Sequence, residues 1–301
     1  MTDIPAAHPA ATVATAKALV AEQFPEYASL EFGELASGWD NAMIRLGPNL
    51  AVRMPRTEEA VGSLMKEREL LGRLGHAWTF AFPRVVGEGE PGHGYPWPWS
   101  VITWLDGTIA ATAPLSVRGA ASLGEAIAQI HEPAPPDAPY NDEQSLPMDG
   151  RAASVAQLLE MLKDQEGPGG ERIDVAAAER IWERAMAAPA PTHFVWSHAD
   201  LHGFNVLSGP GGSFAGIIDW GDMAACDPAV DVGYTYSMTD VAGVTALIDA
   251  YRALRLTDPT FEDRVKGVAL HKCLQLTSWP RPTTAMCGWR GLVALGVART
   301  G

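Results

Sequence analysis

Cysteines, basic side chains and long apolar runs are all scarce in this chain of 301 residues. Its three cysteines, Cys226, Cys273 and Cys287, form no C-x-x-C pair and leave one thiol over in any disulfide scheme, so a disulfide scaffold is not expected. No stretch reaches the ~18–20 consecutive apolar residues of a membrane helix. No base precedes Lys17, so the positive start of a signal peptide is missing. These absences predict a cytoplasmic protein with reduced thiols and no membrane partner.

Bases are outnumbered by acids, because 22 Lys and Arg stand against 36 Asp and Glu, for a formal net charge of -14. Such a chain is repelled by phosphate backbones, so nucleic acid is not an expected partner either. Hydrophobic residues make up 47% of the chain and charged residues 19%. That is enough apolar material for a folded core, which excludes a mainly disordered protein.

The pattern of apolar residues changes about one third of the way along the chain. Up to about Leu105, the sequence predicts a first helix, then five short strands interrupted by a second, amphipathic helix. Beyond Asp106 it predicts mainly helices, over residues 115–131, 155–162, 175–186 and 241–256. We therefore expect an α+β protein with a small β-rich lobe over residues 1–105 and a larger, mostly helical lobe over 106–301.

One segment carries the polar residues of a reaction centre. Residues 195–207 read VWSHADLHGFNVL, and residues 216–222 read GIIDWGD. Phosphoryl transfer requires an aligned acceptor hydroxyl and magnesium to neutralise the phosphates. The carboxylate of Asp200 can orient or accept the hydroxyl proton, and the oxygens of Asn205 and Asp219 are hard ligands suited to Mg²⁺. This D-x4-N spacing with a downstream D-x-G is typical of protein kinases.

These residues resemble one enzyme family in particular. Residues 198–205, HADLHGFN, resemble the HGDLHxxN motif of the aminoglycoside phosphotransferase family, and the segments IIDWGD and DPAVD, at 217–222 and 227–231, resemble its IDWxD and DPxxDL segments. The amino-terminal segments 38–41 and 51–56 also resemble its first lobe, so the resemblance covers nearly the whole chain. It implies a bilobal protein-kinase-like fold. It also implies Mg²⁺-dependent transfer of the γ-phosphate of ATP or GTP to a hydroxyl of a small molecule.

The resemblance also implies a role for each matching residue. Asp200 would be the catalytic base, Asn205 and Asp219 the magnesium ligands, and His198 a support of the catalytic loop. The nucleotide-binding set would be Ser37 and Gly38 over the phosphates, Arg53 as the phosphate-binding cation, Glu67 as its partner, and the backbone of Ile102, Thr103 and Trp104 as the adenine hinge.

The sequence departs from the family pattern at three places. Ala199 stands where the family has glycine, a small change that we expect to be tolerated. Arg53 stands where the wider kinase pattern has lysine, and arginine can bind phosphate bidentately with different geometry. Residues 264–301 hold six bases and no acid, although kinases of this family generally hold their polycationic sugar with carboxylates.

Several acceptors therefore stay open. From Ala111 onward, 23 acids against 14 bases fit an aminoglycoside, whereas the basic carboxy-terminal stretch favours a macrolide or another neutral acceptor. An amino alcohol or sugar kinase is a further alternative, and a catalytically silent nucleotide-binding scaffold is another. Asp227 and Asp231 are expected to brace backbone amides rather than to bind ligand.

Overall fold

The computed structural model describes residues 6–300. Residues 1–5 and 301 lie outside the described residues. The first part of the segment before Lys17, on which the signal-peptide prediction depends, is among them. The chain divides into two compact units. The first unit runs to His76 and resumes over Ala81–Leu105, and the second contains Ala77–Phe80 and the chain from Asp106 onward. Within residues 6–300, no helix is long and apolar enough to cross a membrane.

The first unit is built on an antiparallel five-stranded sheet with the strand order β1-β2-β3-β5-β4. The strands are β1 Phe32–Ser37, β2 Asn41–Leu46, β3 Leu50–Pro55, β4 Val85–Gly89 and β5 Trp99–Thr103. Two helices accompany them, α1 Val13–Gln23 and α2 Glu59–Leu74. The sequence predicts helices over 12–24 and 58–74 and strands over 30–35, 42–46, 50–54, 84–88 and 99–104, and each element begins and ends within two residues of its predicted segment.

The core of the first unit forms where α1 packs on the sheet. Leu19 and Val20 of α1 are fully buried together with Ile44, Val52 and Trp99 of the strands. The helix begins at Thr12, whose hydroxyl accepts a hydrogen bond from the Thr15 amide at 3.1 Å. Such a cap satisfies one of the backbone donors that a helix start leaves without a partner.

The second unit is mostly helical. Its helices are α3 Val117–Ile130, α4 Ala152–Leu162, α5 Val175–Ala187, α6 Ala229–Tyr234, α7 Val241–Leu254, α8 Phe261–Ser278 and α9 Pro282–Ala294. Its strands are β6 Thr108–Ile109, β7 Glu171–Ile173, β8 Val195–Ser197, β9 Val206–Ser208, β10 Phe214–Ile217, β11 Ala224–Cys226 and β12 Ala298–Thr300. They form three small sheets, ordered β10-β9-β6, β11-β8 and β12-β7.

Close helix packing in this unit depends on a small residue. A Cβ atom at Gly124 of α3 would lie 2.3 Å from the carbonyl oxygen of Leu247 in α7. The two helices therefore approach each other more closely than a side chain at this position would allow. The neighbouring α3 residues Leu123 and Ile127 are fully buried.

The two carboxy-terminal helices, α8 and α9, were not predicted from the sequence. Helix α8 buries polar residues along with apolar ones, including Arg264, His271 and Lys272. A helix surrounded by protein has no polar face, so the 3.6-residue alternation that reveals a surface helix is missing. With these helices added, the predicted α+β class is confirmed.

Candidate active site

The HADLHGFN motif lies in a loop between two short strands of the second unit. Residues 198–205 connect β8 to β9, and Asp219 follows β10 directly after Ile218. The Ile218 amide donates to the Asn205 carbonyl at 2.9 Å. This bond joins the end of the loop to the segment that carries Asp219, two segments that the sequence separates by more than ten residues.

Asp231, in the first turn of α6, holds the beginning of the loop. Its carboxylate accepts hydrogen bonds from the amides of His198, at 2.8 Å, and Ala199, at 2.9 Å. Ala199 is buried and has a φ of 70°, a left-handed conformation that glycine adopts without strain. The turn therefore explains why a glycine suits this position, and Asp231 supplies the backbone support that offsets the strain of alanine.

Asp231 is itself fixed by a buried chain of hydrogen bonds. The Nε2 atom of His131 lies 3.2 Å from its carboxylate, and the Nδ1 atom of His131 lies 2.9 Å from the Tyr251 hydroxyl. Since the carboxylate can only accept, Nε2 carries the proton and Nδ1 accepts from Tyr251. The loop is thus connected through α6 to the end of α3 and to α7.

Asp200 lies at the centre of the loop with both carboxylate oxygens engaged. The Lys272 ammonium is 2.9 Å from Oδ1, while His202 Nε2 and Asn205 Nδ2 are each 3.2 Å from Oδ2. The Phe204 amide donates to His202 Nδ1 at 3.3 Å. His202 therefore carries its proton on Nε2 and donates it toward Asp200 without needing a positive charge.

The charges around Asp200 keep it ionised. Burial raises the pKa of this carboxyl, but the Lys272 ammonium and His202 outweigh burial and hold the pKa far below its usual range. The pKa of Lys272 is shifted by the same ion pair. Burial lowers the pKa of Lys272, but Asp200 raises it by more, so the pKa lies above its ordinary value and the ammonium stays charged. Asp200 is consequently a hydrogen-bond acceptor of low basicity at neutral pH.

His198 packs beneath the same loop. Its Nδ1 accepts from the Asp200 amide at 3.3 Å, and its Nε2 lies 3.0 Å from the Ile218 carbonyl, to which it donates. Its ring lies 4.8 Å from the ring of Trp220, centroid to centroid, and Trp220 stacks on Trp78. These contacts connect the Asp200 segment with the Asp219 segment on the buried side of the loop.

The two predicted magnesium ligands, Asn205 and Asp219, carry oxygen donors of the kind that Mg²⁺ prefers. Asn205 directs its amide nitrogen to the Asp200 carbonyl at 2.9 Å, which leaves the amide oxygen for another partner. Asp219 has a φ of 63°, an αL conformation in the bend after β10. Among residues 6–300 no group of three or more His, Cys, Asp or Glu side chains is placed to hold a metal. A site of one amide and one carboxylate would be completed by water and phosphate oxygens, as Mg²⁺ commonly is.

Arg53 and Glu67 meet in the first unit. Arg53 Nη1 lies 2.5 Å from the Glu67 carboxylate, and the two side chains are only 5% and 2% exposed. The side-chain oxygen of Asn41 accepts from Arg53 Nε and Nη2 at 3.2 and 3.0 Å. The guanidinium of Arg53 is therefore buried and held by Glu67 on one side and by Asn41 on the other.

Ser37 and Gly38 lie at the exposed turn between β1 and β2. The Gly38 amide donates to the Asn41 carbonyl at 2.8 Å. Arg56 Nη1 donates to the carbonyls of Gly38 and Trp39 at 2.9 and 3.0 Å. The turn is therefore held from its carbonyl side. Its role over phosphates stays a prediction.

The predicted hinge is the end of β5. Ile102 is buried, the Thr103 amide donates to the Arg84 carbonyl at 2.9 Å, and the Trp104 amide donates to the Asn49 carbonyl at 2.7 Å. Two amides of the predicted adenine hinge are thus used within the first unit. Adenine recognition by this segment stays a prediction, which would depend on its carbonyl oxygens and neighbouring groups.

The structure brings Asp200, Asn205 and His198 together, and it adds Lys272, which sequence reasoning missed. In the sequence Lys272 is only one of six bases near the carboxy terminus. Two of the others have internal roles: Arg264 pairs with Asp227 and Asp258 at 2.8 Å each, and Arg290 donates to the Ser237 carbonyl at 2.9 Å. The one sequence signal for Lys272 was a charged residue inside an apolar stretch.

Comparison with known families gives one match over most of the chain. The model of a family described as the phosphotransferase enzyme family matches residues 31–264. A comparison with curated proteins finds no match.

Solved structures share the fold. The GDP complex of aminoglycoside 2'-phosphotransferase-IIIa has a TM-score of 0.63 at 17% identity, covering 93% of this chain and 96% of that chain. The GDP and kanamycin complex of APH(2")-IIia has a TM-score of 0.56 at 19% identity, covering 87% and 90%. Macrolide 2'-phosphotransferase type I has a TM-score of 0.55 at 17% identity, covering 88% and 91%. The protein-kinase-like fold predicted from the sequence is confirmed.

Proposed function

The chain belongs to the phosphotransferase enzyme family, and we propose that it transfers the γ-phosphate of ATP or GTP to a hydroxyl group of a small molecule. The observation that carries this proposal is the assembly of Asp200, Asn205 and the Asp219 segment around one loop. Asn205 donates to the Asp200 carbonyl through its side chain and accepts from the Ile218 amide through its backbone. Asn205 thus connects Asp200 with the segment that carries Asp219.

Asp200 is the residue that would receive the acceptor hydroxyl. About one fifth of its side chain is exposed, and its position is fixed by Lys272, His202 and Asn205. Because its pKa is held low, it orients the hydroxyl through a hydrogen bond and takes up the proton only late in the reaction. That suits phosphoryl transfer, whose loose transition state needs alignment more than strong base catalysis.

Asn205 and Asp219 would hold Mg²⁺, which when bound neutralises phosphate charge on the nucleotide. In the first unit, Arg53 would bind phosphate oxygens, with Glu67 and Asn41 fixing its guanidinium, and the turn at Ser37 and Gly38 would cover the phosphates. His198 would keep the Asp200 and Asp219 segments in register. These assignments rest on the matching motifs and on the contacts of each residue within its own unit.

The first acceptors to test are antibiotics. The solved structures of the same fold include an aminoglycoside 2'-phosphotransferase and a macrolide 2'-phosphotransferase. Sugars and amino alcohols are the next acceptors to test. A cytoplasmic location is proposed for the protein.

Replacing the reacting carboxylate should remove turnover. We expect Asp200→Asn to lower kcat at least about 10³-fold, because an amide of the same shape cannot take the hydroxyl proton. Nucleotide affinity should stay within about threefold, because the change removes no nucleotide contact. The measurement is release of ADP or GDP with Mg²⁺ over a panel of antibiotics, sugars and amino alcohols, beside nucleotide binding by calorimetry.

The matched control is Asp249→Asn, at an exposed acid of α7, which should behave as wild type. Turnover by Asp200→Asn close to that of the wild type would refute the proposed reaction. Nucleotide binding without turnover of any acceptor would instead favour a scaffold role.

Replacing the carboxylate after β10 should separate nucleotide binding from magnesium. Wild-type protein should bind nucleotide more tightly with Mg²⁺ than with EDTA, and Asp219→Ala should abolish that difference, because one of two proposed ligands is lost. The same titration with Asp249→Ala should retain it. If Asp219→Ala keeps the full dependence on Mg²⁺, Asp219 does not bind the metal.

A further inference from the structure

Lys272 is a buried cation that holds Asp200 in place but has no assigned contact with the nucleotide or the acceptor in the proposed reaction. It lies on α8, its side chain is 10% exposed, and its ammonium contacts Asp200 Oδ1 at 2.9 Å. The same ammonium lies 4.3 Å from the centre of the Tyr234 ring, as a cation–π contact requires. Placing an ammonium in such a position costs hydration, and both Asp200 and Tyr234 offset that cost.

A second cation lies near it without a carboxylate of its own. Arg151 is 1% exposed and donates to the carbonyls of Gln144 and Leu146, at 2.6 and 3.2 Å, and to His271 Nδ1 at 3.3 Å. Among residues 6–300 it forms no ion pair. Asp200 is therefore the carboxylate that faces a buried region containing two positive charges.

The charge of Asp200 is consequently compensated from within the protein. A polycationic acceptor is held by uncompensated carboxylates, and its ammonium groups are repelled by a like charge close by. Consider an acceptor whose hydroxyl is hydrogen-bonded to Asp200 and whose neighbouring group is an ammonium. That ammonium would lie well within ~10 Å of Lys272, the distance over which charges interact at 0.1 M salt. The net charge of -14 attracts cations to the surface as a whole, but it does not remove this local repulsion.

We propose that Lys272 determines the acceptor class, which consists of hydroxyl compounds that carry no cationic group beside the reacting hydroxyl. This inference rests on the proposed function, since it assumes that the acceptor hydroxyl binds at Asp200. Lys272 acts as a positioning residue, because it fixes the Asp200 carboxylate and contributes its charge without touching the phosphoryl group.

The test is the binding of kanamycin, a polycationic probe, measured by calorimetry in the presence of Mg²⁺ and a non-hydrolysable nucleotide. Lys272→Gln keeps a hydrogen-bond donor for Asp200 but removes the charge. We expect it to bind kanamycin at least about tenfold more tightly than the wild type does. Lys272→Arg, which restores the charge, should return the affinity to the wild-type value.

Two matched variants show where the effect arises. Lys266→Gln removes a base from a half-buried position of the same helix, 3.8 Å from Glu262, and should leave kanamycin affinity unchanged. Adding Asp200→Asn to Lys272→Gln should abolish the gain, because the gain depends on the freed carboxylate. Should Lys272→Gln fail to fold in a thermal melt, Lys272→Met takes its place with the same expectation.

Three results would each overturn the inference. They are equal kanamycin affinity of the wild type and Lys272→Gln, tighter binding of kanamycin by the wild type, and no binding by either. Calorimetry needs no turnover. The absence of phosphoryl transfer, which would count against the proposed function, is therefore observed separately from the effect of Lys272.

Discussion

A single ion pair, Arg53 with Glu67, illustrates how much one residue contributes in the first unit. Removing one partner of a buried pair leaves the other charge in a dry environment. We expect Glu67→Ala to lower the free energy of unfolding by about 3 kcal/mol, measured by urea denaturation. The Arg53 fork would also lose its orientation, so nucleotide affinity should fall in the same variant.

Helix α2 offers a matched control two residues further on. Glu69 is 73% exposed and lies 3.9 Å from Arg73, and exposed pairs of this kind contribute little. Glu69→Ala should change the free energy of unfolding by no more than about 0.5 kcal/mol. Equal effects of the two substitutions would mean that Glu67 does not compensate a buried charge.

At this scale the sequence predicts roles for Asp200, Asn205 and Asp219 from their local spacing, and the structure brings the segments that carry them together. The sequence did not identify Lys272 as a neighbour of Asp200. The two residues are more than seventy positions apart, and their contact depends on how α8 packs in the second unit. A charge in an apolar stretch indicates burial, but not the partner that makes the burial possible.

Helix α6 has only six residues, yet through Asp231 it holds the beginning of the loop over residues 198–205. The two oxygens of this buried carboxylate serve three donors: the amides of His198 and Ala199, and His131 Nε2. Asp231→Asn leaves one acceptor oxygen and adds an amide group that faces donors. We expect a loss of about 2 kcal/mol in the free energy of unfolding, and a larger effect on kcat than on nucleotide affinity.

Urea denaturation and steady-state kinetics measure both quantities. Asp240→Asn is the control, because Asp240 caps α7 by accepting from the Gly243 amide at 2.8 Å, and asparagine caps a helix about as well as aspartate. A kcat of Asp231→Asn equal to that of Asp240→Asn would show that the loop keeps its shape without the carboxylate.

Elements differed in how far the sequence predicted them. The strands of the first sheet are short apolar segments bounded by turn residues and helix α2 is amphipathic, and their predicted positions are right to within two residues. Helix α8 was missed because Arg264, His271 and Lys272 lie inside the protein, so polarity does not mark one face. The expectation that Asp231 braces backbone amides is confirmed by its bonds to His198 and Ala199, although the sequence did not say which amides.

For the whole molecule, His271 links stability to pH. Burial, together with the charges of Arg151 and Lys272, lowers the pKa of His271 from 6.5 to about 3. Between these values the unfolded chain binds a proton that the folded chain does not, so the free energy of unfolding falls as the pH falls below 6.5. This group contributes a slope of at most about 1.4 kcal/mol per pH unit.

Denaturation at several pH values between 6.5 and 4.5 measures this slope above the range in which most carboxylates titrate. His271→Gln, which can still accept from Arg151, should flatten the slope. His76→Gln, at an exposed position, should leave it unchanged. Equal slopes for the wild type and His271→Gln would show that His271 is not the group responsible.

Composition predicted the class of the whole molecule but not the distribution of its charge. The six bases after Asp263 favour a neutral acceptor when only the sequence is considered. In the structure Arg264 pairs with two aspartates and Arg290 donates to backbone carbonyls, so both stabilise the fold. Only the three-dimensional arrangement distinguishes Lys272 from them.

The three cysteines have a practical consequence for studying this protein in solution. All are buried, and burial raises the pKa of each thiol, to about 12 for Cys226. Since thiolates are the reactive species, the native protein should react with maleimides only slowly. A fluorophore attached to one cysteine introduced at the surface would label a single position without removal of the natural thiols.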